Sequence, residues 1–347
     1  MKAIVKKEAG EGHVEYTDVV LPELQPNEVL IDVAFAGICG TDIKILHGTT
    51  WSNPPVILGH EYSGIVSAVG SDVKHVAAGD RVVSETAQHV CGHCRYCMSG
   101  DYLMCSERLS IGYGVNGAFA SQIAVRAEIV HKIPSGVTLR EAALAEPAAV
   151  AFHAVSKADG INPSDVVLVF GPGPIGLFVA QIAILKGARV CVLGLSSDRK
   201  RLAFAKELGA EKVIELDSSQ EDLLSQYPLL KDTAFVFDCS GTQSAVSLGL
   251  TLLNRNGELV QVGLARSEMT IPYGLLTAKQ LRIKGTFGHV NKDWHAVLRM
   301  MASKQLEVAS FVTDEYSLES WERAFDMAER REGIKILLTP THLKEEG

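Results

Sequence analysis

Short apolar runs alternate with helical stretches between residues 154 and 288. The first run, Val166–Phe170, is followed directly by glycines and then by a helical stretch at 177–186. Continuous apolar runs of this length are typical of strands buried on both faces, as in parallel sheets. The alternation therefore predicts an α/β block, a doubly wound parallel sheet with helices on both faces.

The same alternation predicts the other elements of this block. Further strands are expected at 189–193, 212–214, 234–238, 258–262 and 282–286, with helices at 199–208 and 244–253. After the block come two amphipathic helices, at 294–302 and 320–330, and an apolar strand at 335–338. Since these elements are too few for a domain, we expect the segment 289–347 to pack back onto the N-terminal part of the chain.

Residues 1–153 have a different pattern of apolar runs and turn residues. Short Val- and Ile-rich runs are bounded by glycine and proline, which predicts a mostly-β domain of hairpins and a partial barrel. The full length of 347 residues is ample for two domains. We therefore predict a mostly-β domain at 1–153 and a parallel-sheet domain at 154–288.

The first predicted parallel strand ends in a glycine-rich loop, Gly171-Pro-Gly173-Pro174-Ile175-Gly176. A G-x-G-x-x-G between a buried strand and a helix is the context in which this motif binds dinucleotides. Gly171 permits a tight turn, Gly173 lets the backbone approach a pyrophosphate, and Gly176 allows close helix–strand packing. The helix N-terminus adds partial positive charge. The loop predicts an NAD or NADP site.

The choice between the two coenzymes depends on the tip of the next strand. Gly194 occupies the position where an acidic residue would bind the ribose hydroxyls of NAD. Without that carboxylate, Ser196, Arg199 or Lys200 could bind the 2′-phosphate of NADP, which favours NADP slightly. Alternatively, Asp198 contacts the ribose, or the two basic residues are solvated. Further coenzyme contacts are expected from Ser240, Val262 and Gly263.

Four of the seven cysteines are crowded into fifteen residues with the spacing C-x2-C-x2-C-x7-C. They are Cys91, Cys94, Cys97 and Cys105. Four thiolates close a tetrahedral Zn²⁺ site without an open position, so we predict a structural zinc lobe at about 89–107. An iron–sulfur cluster is the alternative. His93 lies inside this loop and is interpreted as a solvated side chain.

The overall charge excludes several classes of partner. The net charge of −8 argues against a nucleic-acid groove or an anionic membrane surface.

No stretch approaches the ~20 consecutive apolar residues of a membrane span. The first residues have no apolar signal-peptide core, and clustered cysteines favour metal binding over disulfides. We expect a cytoplasmic protein.

A second set of metal-binding residue types is scattered along the chain: Cys39, His60, Glu61 and Glu146. Taken singly, each has an ordinary structural interpretation, such as a small core residue, a loop histidine or a carboxylate at a helix start. Together they offer one sulfur, one imidazole nitrogen and one or two carboxylates. That mixed set suits a catalytic zinc with one position left for water or substrate.

The segments around these residues resemble the zinc-containing medium-chain dehydrogenase/reductase superfamily along nearly the whole chain. The G-x-C-G-T-D, G-H-E, four-cysteine, E-P and G-x-G-x-x-G segments occur in the same order and at similar intervals. The chain is most similar to the branch of sorbitol (polyol), threonine and butanediol dehydrogenases. Glu146 is the reason, since liver-type alcohol dehydrogenases have a cysteine ligand there.

This resemblance implies a GroES-like catalytic domain, a Rossmann domain and a catalytic zinc. By similarity Cys39, His60 and Glu146 would hold the zinc, and Glu61 would be a direct, exchanging or water-mediated ligand. Thr41 would pass the proton of the substrate hydroxyl towards solvent. Where liver-type enzymes end this relay with a histidine, the chain has Lys44. His47 or water would then finish the relay, or His89 would face the substrate.

The expected function is hydride transfer between a secondary alcohol or polyol (sorbitol-like, butanediol or threonine) and NAD(P), with two Zn²⁺ per chain. A zinc-free quinone or enoyl reductase of the same fold and a non-enzymatic dinucleotide sensor are the alternatives. We expect a homodimer or homotetramer. The side chains expected to line the substrate pocket are Trp51, Tyr113, Phe119 and His289.

Overall fold

A computed structural model describes residues 1–21, 23–216, 223–265 and 268–340. The last part of the predicted C-terminal segment, 341–347, lies outside the described residues. The chain divides into two compact units. One contains Met1–Glu146 and the chain from Val290 onward, and the other is Pro147–His289.

In the described residues, twelve strands belong to the first unit. They are β1 (Lys2–Lys6), β2 (Val14–Asp18), β3 (Glu28–Gly37), β4 (Val56–Ile57), β5 (Glu61–Val69), β6 (Arg81–Ser84), β7 (Ala87–His89), β8 (Leu109–Ser110), β9 (Gln122–Arg126), β10 (Val130–Lys132), β17 (Val312–Ser317) and β18 (Lys335–Thr339). The strands β11 (Val166–Phe170), β12 (Arg189–Gly194), β13 (Lys212–Glu215), β14 (Thr233–Asp238), β15 (Glu258–Gln261) and β16 (Arg282–Gly285) belong to the second unit.

Helices connect the parallel strands and flank the β-rich unit. They are α1 (Gly40–Leu46), α2 (Arg95–Met98), α3 (Leu139–Ala142), α4 (Ala145–Lys157), α5 (Pro174–Leu185), α6 (Arg199–Glu207), α7 (Leu223–Gln226), α8 (Gln243–Leu252), α9 (Gly274–Lys279), α10 (Asn291–Ala302) and α11 (Trp321–Glu329). In the described part of the chain, none is long and apolar enough to cross a bilayer.

The first unit is built on one large, mainly antiparallel sheet. Its strand order is β10-β6-β5-β3-β18-β17, and β9 also pairs with β3. The late strand β18 runs antiparallel to β3, with Leu338 opposite Ala36 and Leu337 opposite Gly37. This pairing places the residues of β18 beside the end of β3, where the candidate site begins.

The second unit is a six-stranded parallel sheet in the order β13-β12-β11-β14-β15-β16. Numbered within the unit, this order is 3-2-1-4-5-6, the arrangement typical of dinucleotide-binding sheets. All residues of the central strand β11 are buried, as its unbroken apolar sequence predicts. Helix α5 follows β11 directly, so the glycine loop lies at the carboxyl end of the sheet.

Most predicted elements are present within a few residues, but helices α5 and α10 each begin three residues before the predicted start, and the domain boundary differs. Helix α4 contains residue 153, and the compact units separate within its first turn, at Glu146 and Pro147, instead of at 153/154. Helix α10 starts at Asn291, three residues before the predicted start. The early start has a local cause, because the Asp293 carboxylate accepts a hydrogen bond from the Val290 N–H at 2.8 Å and caps the first turn.

Candidate active site

Strand register brings together residues that are far apart in sequence. Gly37, the last residue of β3, is the cross-strand partner of Glu61, the first residue of β5. Cys39 follows β3 by two residues, and His60 immediately precedes β5. The G-x-C and G-H-E segments therefore meet at one end of the sheet.

Cys39, His60 and Glu61 form a compact donor set, with their ligand atoms all within 4.8 Å of one another. His60 and Glu61 are buried, and Cys39 is half-buried. The first glycine of the G-x-C segment makes room for this set. A Cβ on Gly37 would lie 2.4 Å from the Glu61 Oε2, so a larger residue would displace that carboxylate.

Asp42 supports the set from behind. Its Oδ2 accepts a hydrogen bond of 2.9 Å from the Cys39 N–H, which fixes the first turn of α1. Its Oδ1 lies 3.7 Å from Nδ1 of His60. Burial lowers the pKa of His60, but the negative charges of Asp42 and Cys39 outweigh it and hold that pKa well above its usual value. In metal sites, a carboxylate commonly faces the ring nitrogen of a histidine that does not bind the metal.

Lys335 is a site residue that sequence reasoning missed. It is the first residue of β18 and is buried, with its Nζ 2.5 Å from the Glu61 Oε2 and 3.0 Å from the Ile38 carbonyl oxygen. Burial lowers the pKa of Lys335, but the charges of Glu61 and Cys39 outweigh burial and raise it. Lys335 is therefore a fixed positive charge that balances one carboxylate of the donor set.

Glu146 lies in the first turn of α4 and is buried, but it is not part of the 4.8 Å set. Its negative charge nevertheless acts on both His60 and Lys335. The structure thus groups three of the four predicted ligands closely, with the fourth near enough to influence them.

The three candidates for the proton relay differ in their surroundings. Thr41 is half-buried in the first turn of α1, and its hydroxyl makes no hydrogen bond to the described residues. His47 ends the same helix and is held at the surface by Glu329, with Nε2 and Oε1 2.8 Å apart. His89 is exposed at the end of β7. Thr41 is therefore the candidate nearest to Cys39.

The four clustered cysteines form a second donor set, in which all four sulfurs lie within 4.8 Å of one another. The Cys94 and Cys97 sulfurs are 3.6 Å apart, and those of Cys91 and Cys97 are 3.8 Å apart. Sulfurs at the corners of a zinc tetrahedron with Zn–S of about 2.3 Å are separated by about 3.8 Å. Strands β7 and β8, which precede and follow the four cysteines in sequence, pair with each other and join the two ends of this lobe. These distances fit Zn²⁺.

His93 agrees with its solvated interpretation, since it is exposed and its Nδ1 lies 2.9 Å from the Cys91 carbonyl oxygen. Of the aromatic residues expected in the substrate pocket, Tyr113 contacts His60, and Trp51 contacts Tyr113. The Tyr113 ring meets the His60 ring edge to face, with centroids 6.1 Å apart, and meets Trp51 in the same way at 6.5 Å.

The expectation for Phe119 is wrong. Phe119 is completely buried in the core of the first unit, and a Cβ on Gly59 would come within 2.4 Å of its ring. The aromatic ring therefore packs under the G-H-E segment and supports it from the core side. His289 is also buried, within the second unit.

The glycine loop of the second unit has the geometry that its sequence predicts. Gly171 has φ +90°, a left-handed conformation that favours glycine. A Cβ on Gly176 would lie 2.0 Å from the Gly171 carbonyl oxygen, so this position requires glycine for close packing. A Cβ on Gly173 would meet nothing within 4 Å, which leaves open space beside the backbone. Pro174 and Ile175 start α5, whose N-terminus faces this space.

Gly194 has a packing reason that the sequence interpretation did not include. A Cβ there would lie 2.9 Å from the Pro172 ring of the glycine loop and 3.2 Å from the Asp198 Cβ. Asp198 is buried and accepts a hydrogen bond from the Leu195 N–H at 3.1 Å. Arg199 forms a two-point ion pair with Glu215, at 2.7 and 2.8 Å. Ser196 is exposed beside them.

Asp238 organises the other predicted coenzyme residues. It is fully buried at the end of β14, and its carboxylate accepts hydrogen bonds from the Ser240 N–H at 3.0 Å and the Ser240 hydroxyl at 2.6 Å. Its carbonyl oxygen accepts from the N–H groups of Val262 and Gly263 at 2.9 and 2.7 Å. An acid at the end of a buried strand is the sequence signal that could have identified this role.

Comparisons with known proteins agree with this arrangement. Residues 25–135 match the family described as the alcohol dehydrogenase GroES-like domain, and residues 174–303 match the zinc-binding dehydrogenase family. The sorbitol dehydrogenase of Halalkalibacterium halodurans is 38% identical over 98% of this chain and 99% of its own. The D-arabitol-phosphate dehydrogenase of Enterococcus avium is 36% identical over 97% of each chain.

A solved structure gives the same result for the fold. A zinc-binding dehydrogenase of Sinorhizobium meliloti, bound to NADP, superimposes with a TM-score of 0.90 and 27% identity, covering 98% of this chain and 99% of that one. The predicted GroES-like and Rossmann fold is confirmed. The chain therefore belongs to the zinc-containing medium-chain dehydrogenase/reductase superfamily, in its polyol dehydrogenase branch, and is an NAD(P)-dependent oxidoreductase of alcohols or polyols.

Proposed function

We propose that the protein oxidises a secondary hydroxyl of a polyol at a zinc site held by Cys39, His60 and Glu146, with Glu61 as the nearby fourth donor. The observation that carries this proposal is that the ligand atoms of Cys39, His60 and Glu61 lie within 4.8 Å of one another, while the buried Glu146 is close enough for its charge to act on His60. The four-cysteine lobe would hold a second, structural zinc. Zinc bound by the mixed set acts as a Lewis acid that lowers the pKa of a substrate hydroxyl.

The protein's own side chains prepare the reaction. The Asp42 carboxylate lies 3.7 Å from Nδ1 of His60, which is too far for a hydrogen bond, but its charge favours the ring orientation in which Nδ1 faces it and Nε2 is left to act as a ligand. Lys335 holds one oxygen of Glu61 and limits the movement of that carboxylate. The hydroxyl of Thr41, two residues after Cys39, accepts the substrate proton and passes it to water.

A coenzyme-coupled screen tests this function. The purified protein with added Zn²⁺ would be offered sorbitol, xylitol, arabitol, 2,3-butanediol and threonine with each coenzyme, and reduced nicotinamide would be recorded by absorbance. We expect polyols to be oxidised faster than threonine. Absence of activity with every hydroxyl compound, in protein that contains zinc, would contradict the proposal.

Replacing Thr41 with valine should lower kcat by ~10²-fold or more, because valine preserves the shape but removes the group that moves the proton. Coenzyme affinity should stay nearly constant, as measured by nicotinamide fluorescence. Thr49→Val is the matched control, since the Thr49 hydroxyl is exposed and donates to the Lys44 carbonyl oxygen. Equal rates in Thr41→Val and wild type would mean that water carries the proton.

We infer that coenzyme choice depends on competition for Arg199. The guanidinium is exposed at the carboxyl ends of β12 and β13, where Gly194 and Glu215 are paired in register. In NADP, the 2′-phosphate would replace the Glu215 carboxylate as the partner of Arg199, with Ser196 as a further donor. We therefore still expect a slight preference for NADP over NAD. The Glu215 carboxylate weakens this preference because it competes with the 2′-phosphate for Arg199.

Two variants with opposite expected effects test this inference. Arg199→Ala should lower kcat/KM with NADP by about ten- to hundred-fold relative to NAD, because a charge-assisted contact is lost. Glu215→Gln should raise the preference for NADP, because the Glu215 charge that competes with the 2′-phosphate for Arg199 is removed while the shape is preserved. If wild type prefers NAD and neither variant changes the ratio, Asp198 or a backbone group contacts the ribose.

We also propose that two copies associate through the second unit. Strand β16 is the last strand of the parallel sheet, and Ile283 within it is 41% exposed. An exposed edge strand readily pairs with a symmetry-related copy, which would give a homodimer or, with a second contact, a homotetramer. Light scattering would measure the mass of the assembly.

A cytoplasmic location is proposed because both donor sets need reduced thiols.

A further inference from the structure

Lys6 is a buried cation whose hydrogen-bond partners are neutral. It is the last residue of β1, and only 1% of its surface is exposed. Its Nζ donates hydrogen bonds to the carbonyl oxygens of Gly10 and Gly12. Among the described residues, no carboxylate forms an ion pair with Lys6, and burial lowers its pKa. A buried charge without a counterion is costly, so an anion that reached this ammonium would be bound favourably.

The loop that holds Lys6 is fixed by its neighbours. The Gly12 N–H donates to the Leu46 carbonyl oxygen at 2.7 Å, which ties the loop to the end of α1. Gly48 packs directly on the loop, since a Cβ there would lie 2.5 Å from the carbonyl carbon of Gly10. The frame around the ammonium is therefore formed before any ligand binds, which lowers the cost of binding one.

Lys6 lines a pocket of about 340 Å³ in the first unit. Residues 48–52, which follow α1, supply much of the rest of its wall. Among them, the hydroxyls of Thr50 and Ser52 make no hydrogen bond to any part of the chain that the structure describes, so both are available as donors. The volume is at the lower end of the range for small-molecule sites, which is roughly 300–1,000 Å³.

The donor groups of this pocket define the chemistry of its ligand. An ammonium has three N–H donors, and Lys6 uses two of them on backbone oxygens. The remaining N–H and the hydroxyls of Thr50 and Ser52 are donors from three separate side chains. A phosphate group has enough oxygens to accept from all three, and it supplies a negative charge. Glu11 in the same loop does not take this role, because its carboxylate lies 3.8 Å from Nδ1 of His47.

We propose that the pocket at Lys6 binds a phosphate group, either as free phosphate or as the end group of a phosphorylated metabolite. Trp51 also lines this pocket, and its ring contacts that of Tyr113, which in turn contacts His60. The pocket is thus two aromatic rings away from the candidate zinc site of the same unit. Neither the proposed polyol oxidation nor the two zinc sites requires it.

The fluorescence of Trp51 tests phosphate binding without turnover. Trp294 and Trp321 are buried, whereas Trp51 is 60% exposed, so a ligand in the pocket affects mainly Trp51. The purified zinc-loaded protein would be titrated with inorganic phosphate, with chloride keeping the ionic strength constant. We expect a saturable change in emission that disappears in Trp51→Phe. The thermal midpoint of unfolding should also rise with the phosphate concentration.

Three variants locate the binding. Lys6→Met keeps the length of the buried side chain but removes its charge, and should weaken phosphate binding by about ten- to hundred-fold. Thr50→Val and Ser52→Ala each remove one hydroxyl and leave the loop at Lys6 unchanged, and should weaken binding by about three- to tenfold. Lys2→Met is the matched control, because Lys2 lies in the same strand but is exposed and pairs with Asp18 at 2.8 Å. Its affinity for phosphate should equal that of wild type.

Kinetics distinguish the two sources of the phosphate group. If it is the end of a substrate, inorganic phosphate should compete with sorbitol 6-phosphate, and Thr50→Val should raise KM for this compound but not for sorbitol. If phosphate binds as a free ion, it should compete with neither compound, and Thr50→Val should leave both KM values unchanged.

The proposal is wrong if phosphate has no effect beyond that of chloride, or if it binds equally to wild type and to the Thr50 and Ser52 variants. These two variants keep the test decisive even if Lys6→Met does not fold. Because the binding measurement needs no turnover, its failure would leave the proposed polyol oxidation standing.

Discussion

Replacing Cys39 with alanine should abolish polyol oxidation and lower the zinc content from about two to about one per chain. The sulfur is one of three donors within 4.8 Å, and its loss leaves only the His60 nitrogen and the carboxylates of Glu61 and Glu146 to bind the metal. Because Cys39 is half-buried at the start of α1, the thermal midpoint should fall by less than about 5 °C. Elemental analysis and calorimetry of the purified variant measure these quantities.

Cys191→Ala is the control for this change. Cys191 is buried in β12 and belongs to neither donor set, so its replacement should preserve both zinc ions and turnover. The assignment of the catalytic site would be wrong if Cys39→Ala retained two metals and its activity. It would also be wrong if the Cys191 variant lost a metal.

Replacing Cys97 with alanine should destabilise the whole first unit. Its sulfur lies 3.6 and 3.8 Å from those of Cys94 and Cys91, so it is part of a closed four-sulfur set. Binding of a structural zinc contributes on the order of 10 kcal/mol to folding, and three thiolates would close the site poorly. The thermal midpoint should fall by well over 10 °C, and proteases should cut within 90–108.

The adjacent residue gives a sharp control. Met98 is 76% exposed in the same short helix, so Met98→Ala should retain the metal and the melting temperature. A Cys97→Ala protein that melted like wild type would show that the lobe is stable without a closed metal site. An iron–sulfur cluster would instead be recognised by its visible absorbance.

Features that depend on local pattern could be predicted from the sequence. The parallel sheet followed from unbroken apolar runs, because a strand buried on both faces has no polar alternation. The glycine loop and the four-cysteine lobe are short, so their spacing alone determines which atoms can meet. Cys39, His60 and Glu61 also came from motifs, although their meeting depends on the register of β3 and β5.

Features that depend on distant pairing could not be predicted in the same way. Lys335 begins an apolar strand and resembles a solvated strand end, yet it is buried against Glu61. Gly194 was interpreted through coenzyme chemistry, whereas the Pro172 ring excludes a side chain there. Arg199 was expected to be available for a phosphate, but its partner Glu215 is on another strand. In each case the contact can be predicted only if the position of the partner residue in the folded structure is known.

The pairing of β18 with β3 also has a consequence for the order of synthesis. The amine that balances Glu61 is 274 residues further along the chain, which at 5–20 residues per second corresponds to a delay of roughly 15–55 s after Glu61 is made. During that interval the carboxylate has no amine from β18, although the cysteine lobe at 91–105 is already complete. We therefore expect the lobe to acquire its metal on the ribosome, and the catalytic set to mature after release.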